Sequence, residues 1–246
     1  MSATWLLGVR IGALLLVASP LAAASIPPTV RMLFSLMLAV VLAAAFPAAS
    51  VGPEPSAGRL IAAALSEAAL GATMALGINL AFGAFSLGGR LLDVQMGFGI
   101  GQVFDPVTKL QVPVVTSAFS QLALVLFWVT DAHHNMLRGL ALSIERIPVG
   151  TPWLLDPAAG PIFHQASSMF TLGFAMVAPV VFCLFLVEVG LGVLARNLPQ
   201  MNTFMLAIPL KVIVGMVALS AAFIALTGVV ERVNASIFRT WGATFQ

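Results

Sequence analysis

Asp131-Ala132-His133-His134 is the stretch of this 246-residue chain whose side chains could most readily do chemistry. Imidazole and carboxylate together can move protons or ligate a transition metal. The spacing argues against a metal, because adjacent residues on a helix point about 100° apart. A zinc-binding HExxH helix instead sets its histidines four apart on one face. No second set of ligands follows at useful spacing, and no nucleophile accompanies the histidines, so an intramembrane hydrolase is a poor fit. The expected role of Asp131, His133 and His134 is a polar belt near a helix end or a packed polar contact in an assembly. No catalytic residue, cofactor or metal is expected.

Gly97-Phe98-Gly99-Ile100-Gly101 superficially suggests a phosphate-binding loop. It lacks the Lys-Ser/Thr ending of such loops, and no strand-then-helix pattern surrounds it. Its physical content is different. Three alternating glycines with Phe98, Ile100, Val103 and Phe104 make a pliable apolar segment, and Asp105-Pro106 ends any helix there. A loop of this kind can seal a pore.

Isolated charges form the third group. A charge at the middle of an apolar helix costs about 2.5–3.5 kcal/mol on insertion scales, and Glu67, Glu188 and Lys211 all sit within apolar runs. Glu188 and Lys211 lie at similar distances either side of Leu198-Pro199, so a helical hairpin turning there brings them to one depth. They are expected to pair or to face a wet interior. Cys183 stands in another apolar run and is expected to be a small packed residue.

The elements that must position these groups are apolar helices. Apolar residues are 60% of the chain and charged ones 8%, against roughly 25% charged in a soluble domain. So few charges cannot cover a water-facing surface, and the remainder must face lipid or apolar neighbours. The formal net charge of +2 comes without a basic run or an acidic tail, which sets nucleic acid aside. Segments 5–24, 32–49, 60–86, 114–143, 169–195 and 203–230 reach or approach the roughly 20 apolar residues of a transmembrane helix. Long runs without alternation exclude a β-barrel. The fold class is therefore all-α: an integral membrane protein of kinked apolar helices and helical hairpins.

Pro20, Pro47, Pro179 and Pro209 lie in or near the ends of apolar runs and invite kinks. Ala68/Ala72, Gly71/Ala75 and Gly77/Ala81 are small pairs four apart that let another backbone come close, within this chain or from another subunit. Ala22-Ala23-Ala24 mimics a signal-peptide cleavage site, but Arg10 interrupts the apolar stretch before it and favours an uncleaved first helix. The arginines of the links fall on both sides under strict alternation, as they would if some segments were re-entrant.

Five blocks read RIGALLLVASP (10–20), IPPTVRMLFSLMLAVVLAAAFP (26–47), EAALGATMALGINLAFGAFSLGGRLLDVQMGFGIGQVFDP (67–106), PVVTSAFSQLALVLFWVTDAHHNMLRGLALSIERIPVG (113–150) and VEVGLGVLARNLPQMNTFMLAIPLKVIVGMVAL (187–219). In this order they resemble FliR, the flagellar export-gate family, and more distantly the SctT proteins of virulence type III secretion. Asp131-Ala132 stands where that family typically carries Asn-Gly, while His133 fits; Ser143 to Gly150 resembles its SFExxPxG. The resemblance implies a non-enzymatic core subunit of a helical export-gate assembly in the bacterial inner membrane, at the flagellar basal body. It implies assembly with FliP-like and FliQ-like subunits, an FlhB-like subunit nearby, and unfolded flagellar substrates passing through the channel. It implies one module over 1–246, with much of the helical mass lifted out of the bilayer plane. A pore plug would fall on roughly Gly97 to Pro113. An SctT-type subunit is the alternative. A stand-alone solute transporter would call for two matching halves, which the sequence does not display.

Overall fold

Backbone groups in an apolar medium must be satisfied within their own segment, and long Ala- and Leu-rich runs do this as helices. The computed structural model describes residues 2–18, 27–46, 57–98, 113–153, 156–198, 200 and 202–245. Among these there are seven helices and no strand: α1 (Ser2–Val17), α2 (Pro28–Ala45), α3 (Ala57–Met96), α4 (Val114–Val129), α5 (Ala132–Arg146), α6 (Asp156–Asn197) and α7 (Thr203–Thr244). The six apolar segments map onto them in order, with α4 and α5 sharing the fourth.

The bounds differ from hydropathy in instructive ways. The segment 114–143 is not one helix: α4 and α5 meet at a 69° bend, where Asp131 takes a left-handed conformation at φ 54°. Asparagine and aspartate are the side-chain-bearing residues that best tolerate this region, so Asp131 suits the turn it makes. Pro28 opens α2 at its first turn, where its missing N–H costs nothing. By contrast α6 and α7 run through Pro179 and Pro209 as continuous helices. Serine and threonine in the apolar helices hide their hydroxyls on carbonyls four residues back, as Thr73 does on Ala69 and Ser220 on Met216.

Four helices are long and apolar enough to cross a membrane, or five with the bent pair taken as one span. With 40 residues, α3 is about 60 Å long, twice the roughly 30 Å hydrocarbon core. Even at a steep tilt of about 40° it would still extend about 46 Å along the bilayer normal. α6 and α7, of 42 residues each, exceed the core likewise.

The chain divides into two compact units. The first comprises Met1–Phe82, Phe127–Ser167 and Asn234–Gln246; its core includes Leu7, Ile11, Leu14, Leu70, Met74, Ile78, Leu140 and Trp241. There α1 packs on α2, with Gly8 against Leu36 and Ala39, and on α3 at Gly71. A Cβ on Gly71 would lie 2.2 Å from the Arg10 carbonyl oxygen. The second unit, Gly83–Leu126 and Ser168–Val233, is centred on Leu92, Met96, Phe119, Val177, Val180 and Leu184. Gly88 and Gly173 let α3 and α6 approach within it. The glycines at 71, 77, 88 and 173 thus accept neighbours from this same chain.

Candidate functional site

A guanidinium has five N–H donors, and burying it demands five acceptors. Arg10, completely buried on α1, finds them all. Its Nε and Nη2 donate to the two carboxylate oxygens of Glu67 on α3 at 2.5 and 3.1 Å. Nη1 donates to the carbonyl and hydroxyl oxygens of Ser143 on α5, and Nη2 also reaches the Ile147 carbonyl at 3.0 Å. Glu67 accepts a further bond from the Gly150 N–H at 2.9 Å. Gly150 has φ 84°, a conformation that suits glycine. One residue earlier on α3, the Ser66 hydroxyl accepts from Trp153 N and donates to the Thr151 carbonyl. A neutral, fully bonded ion pair thereby locks α1, α3, α5 and the 147–153 turn together.

Three of the sequence blocks that carry the family resemblance meet at this pair: the one opening at Arg10, the one opening at Glu67, and the one closing on Ser143 to Gly150. The sequence singled out Glu67 but not its partner. Arg10 is the only charged residue of α1 and Glu67 is opposite in sign within α3; that was the available signal.

The second construction flanks the glycine-rich segment. α3 ends at Met96, where Gly97 takes φ 85° and its N–H bonds to the Val94 carbonyl, a turn that favours glycine. Four residues earlier Asp93, 4% exposed, reaches across to the start of α4. Its carboxylate accepts from the N–H groups of Val115 and Thr116, both at 2.9 Å, and from the Thr116 hydroxyl at 2.7 Å. A negative charge at a helix N-terminus is favourable for both the free N–H groups and the helix dipole. Gly89 makes the approach possible, since a Cβ there would lie 2.5 Å from Thr116 Cα. The two flanks of 99–112 are thus clasped together. Gly97 and Phe98 are described and half-buried, whereas Gly99, Ile100, Gly101, Val103, Phe104, Asp105 and Pro106 lie outside the described residues. Sequence reasoning gave Asp93 no role, although it stands in the quoted 67–106 block.

Glu188 on α6 and Lys211 on α7 form an ion pair. The Glu188 side chain is not buried, being 43% exposed, because among the described residues none covers that face of α6. The surrounding Phe182, Phe185, Leu186, Val189, Ile213 and Val217 are exposed as well.

Asp131, His133 and His134 converge at the α4–α5 break. Asp131 makes no side-chain cap bond on α5; one carboxylate oxygen stands 3.4 Å from His134 Nδ1. The two imidazoles do not diverge as neighbours on an ideal helix would: their centroids are 4.2 Å apart, and His133 also lies 4.9 Å from the Trp128 ring. They occupy the first turn beside a sharp bend, where Asp131 departs from helical geometry.

A further buried group closes the first unit. Trp241 donates to the Met74 carbonyl at 3.2 Å and lies over Gly139, while Gln165 Nε2 donates to the Gly77 carbonyl at 2.8 Å. These contacts bind structure; none activates a nucleophile or a base.

A family model described as bacterial export proteins, family 1, matches residues 1–237. Curated relatives include the flagellar biosynthetic protein FliR of Bacillus subtilis (strain 168), 34% identical over 176 residues that make up 69% of this chain and 67% of that one. FliR of Escherichia coli (strain K12) is 27% identical over 229 residues, covering 93% and 87%. The secretion system apparatus protein SsaT of Salmonella typhimurium is 27% identical over 143 residues, covering 58% and 55%.

Proposed function

We propose, from the premise that this chain belongs to the bacterial export proteins of family 1, that it is a core subunit of the flagellar type III export gate. The observation that carries the proposal is the match over 1–237 together with similarity to two FliR proteins, one covering 93% of the chain. The same match supports treating 1–246 as one export-gate module. In this reading the protein resides in the bacterial inner membrane within the flagellar basal body. It assembles with FliP-like and FliQ-like subunits, close to an FlhB-like one, and unfolded flagellar proteins pass through the channel. Its work is structural and gating rather than catalytic.

Two physical features support it. The exposed apolar faces of α2, α6 and α7 need covering, and helices about 60 Å long suit a helical assembly that continues beyond the bilayer. The Asp93 clasp gives the segment 99–112 a fixed base, as a loop acting as a pore plug requires.

Affinity capture of the full chain in mild detergent tests the assignment: FliP-like and FliQ-like subunits should co-purify, and deletion of the gene should abolish filament assembly. Intact filaments after deletion would sink the flagellar reading, and loss of effector secretion instead would favour the SctT alternative. Removal of Gly99 to Asp105 should raise membrane permeability to ions while the complex still assembles; unchanged conductance would remove the plug role.

A further inference from the structure

The α4–α5 break gathers three potential metal ligands on one turn, and the export-gate proposal above gives them no task. We propose that Asp131, His133 and His134 form a binding site for a divalent transition-metal ion. The inference rests on local geometry and stands apart from the export-gate reading.

One ligand atom from each residue lies within 4.8 Å of the other two. In a tetrahedral site, ligands about 2.0–2.1 Å from zinc are about 3.3 Å apart, so the three need to close by about 1.5 Å. Asp131 and His134 have room to do so, with side chains 71% and 61% exposed. His133 is already positioned, its ring near Trp128 on one contact and near His134 on the other. Its Nδ1 is closed off from solvent without a hydrogen-bond partner. An unpaired buried nitrogen is unfavourable, whichever of the two ring nitrogens serves as the ligand.

The backbone sets up the carboxylate. In its left-handed conformation Asp131 offers its carbonyl to the N–H groups of His134 and Asn135, but its side chain does not cap α5. An aspartate at this position ordinarily turns inward to cap; here it faces the histidines. The helix dipole of α5 opposes a cation at this end, and the Asp131 charge offsets that term. Two imidazoles with one carboxylate suit Zn²⁺, Ni²⁺, Co²⁺ or Cu²⁺ rather than Mg²⁺ or Ca²⁺. The exposed mouth leaves positions for water, so the ion exchanges readily. Its structural effect is to hold the left-handed Asp131 against the first turn of α5, because ligands from both share one centre.

The test is a titration of the full chain in mild detergent, carrying a tag without histidines, with Ni²⁺ and Zn²⁺. Trp128 adjoins the site, so bound Ni²⁺ should quench tryptophan emission saturably at one ion per chain, and Trp128→Phe should remove most of the quenching. Zn²⁺ should compete. Asp131→Asn, which keeps a residue suited to the left-handed turn, and His134→Ala on the exposed side should each weaken binding at least tenfold without changing the circular dichroism. His164→Ala should leave it unchanged. The proposal is overturned if no saturable binding occurs, if Asp131→Asn and His134→Ala bind like the wild type, or if His164→Ala weakens binding as much as they do.

Discussion

Removing one member of the Arg10–Glu67 pair leaves the other charged and buried, with its remaining partners unable to neutralise it. Arg10→Leu and Glu67→Leu are each expected to lower stability by about 3–5 kcal/mol, read as reduced folded yield and a lower thermal midpoint in detergent. The double replacement should cost less than the sum of the two, because no charge is stranded. An additive double mutant would mean that the pair is not the unit of stabilisation. Asp93→Ala removes three hydrogen bonds at the start of α4 and should cost about 1–2 kcal/mol. Under the plug proposal it should also increase ion leakage, whereas Asp93→Asn, which retains a carbonyl acceptor, should do so less. The contact of Glu188 with Lys211 could be reasoned from sequence because one turn separates their helices. Arg10 with Glu67 could not: α2 and two links intervene, and only packing decides which apolar helix lies beside α1. Asp93 was equally silent, since a carboxylate four residues before a glycine gives no hint that it caps the next helix.

Glycines separate the helix contacts into two kinds. A side chain at Gly71 would strike the backbone of α1, and one at Gly139 would lie 2.3 Å from the Trp241 ring. Gly71→Val and Gly139→Val should therefore prevent proper packing of the first unit, detectable as aggregation or proteolysis of the expressed chain. Gly190 and Gly192 on α6 meet nothing within 4 Å, and their neighbours Val189 and Val193 are exposed. Under the export-gate proposal Gly192→Leu should leave the fold of the isolated chain intact while reducing co-purification with FliP-like and FliQ-like subunits at least severalfold. Equal recovery of partners would place that face against lipid. The apolar helices were legible as runs, yet the break at Thr130–Asp131 was not. The polar cluster at 130–134 suggested a helix end but not a sharp bend within the segment 114–143, because the left-handed Asp131 is a conformational choice, not a hydropathy signal.

A chain whose largest helices exceed the hydrocarbon core and whose described outer faces stay apolar leaves much apolar surface to be covered by lipid or by other subunits. Only 11% of the best window of α2 and 6% of that of α7 are buried within the molecule, and Met37, Leu33, Phe163 and Val217 stand open. Under the export-gate proposal the protein purified alone should spread over several oligomeric sizes in gel filtration, and co-expression with FliP-like and FliQ-like subunits should yield one sharp species. A monodisperse lone monomer would argue against extensive subunit contacts. Hydropathy located the apolar runs but undercounted their length, because 156–165 and 231–244 contain Pro161, Glu231, Arg232 and Arg239 and read as links. The Arg10 network has a further consequence, in time. Its acceptors lie 57 to 137 residues downstream, and at about 5–20 residues per second Gly150 follows Arg10 off the ribosome by about 7–30 s. Until Glu67 follows, 57 residues and about 3–11 s later at that rate, the first helix carries an unanswered positive charge that the insertion machinery or a polar lipid interface must hold, and the rest of its binding cradle comes later still.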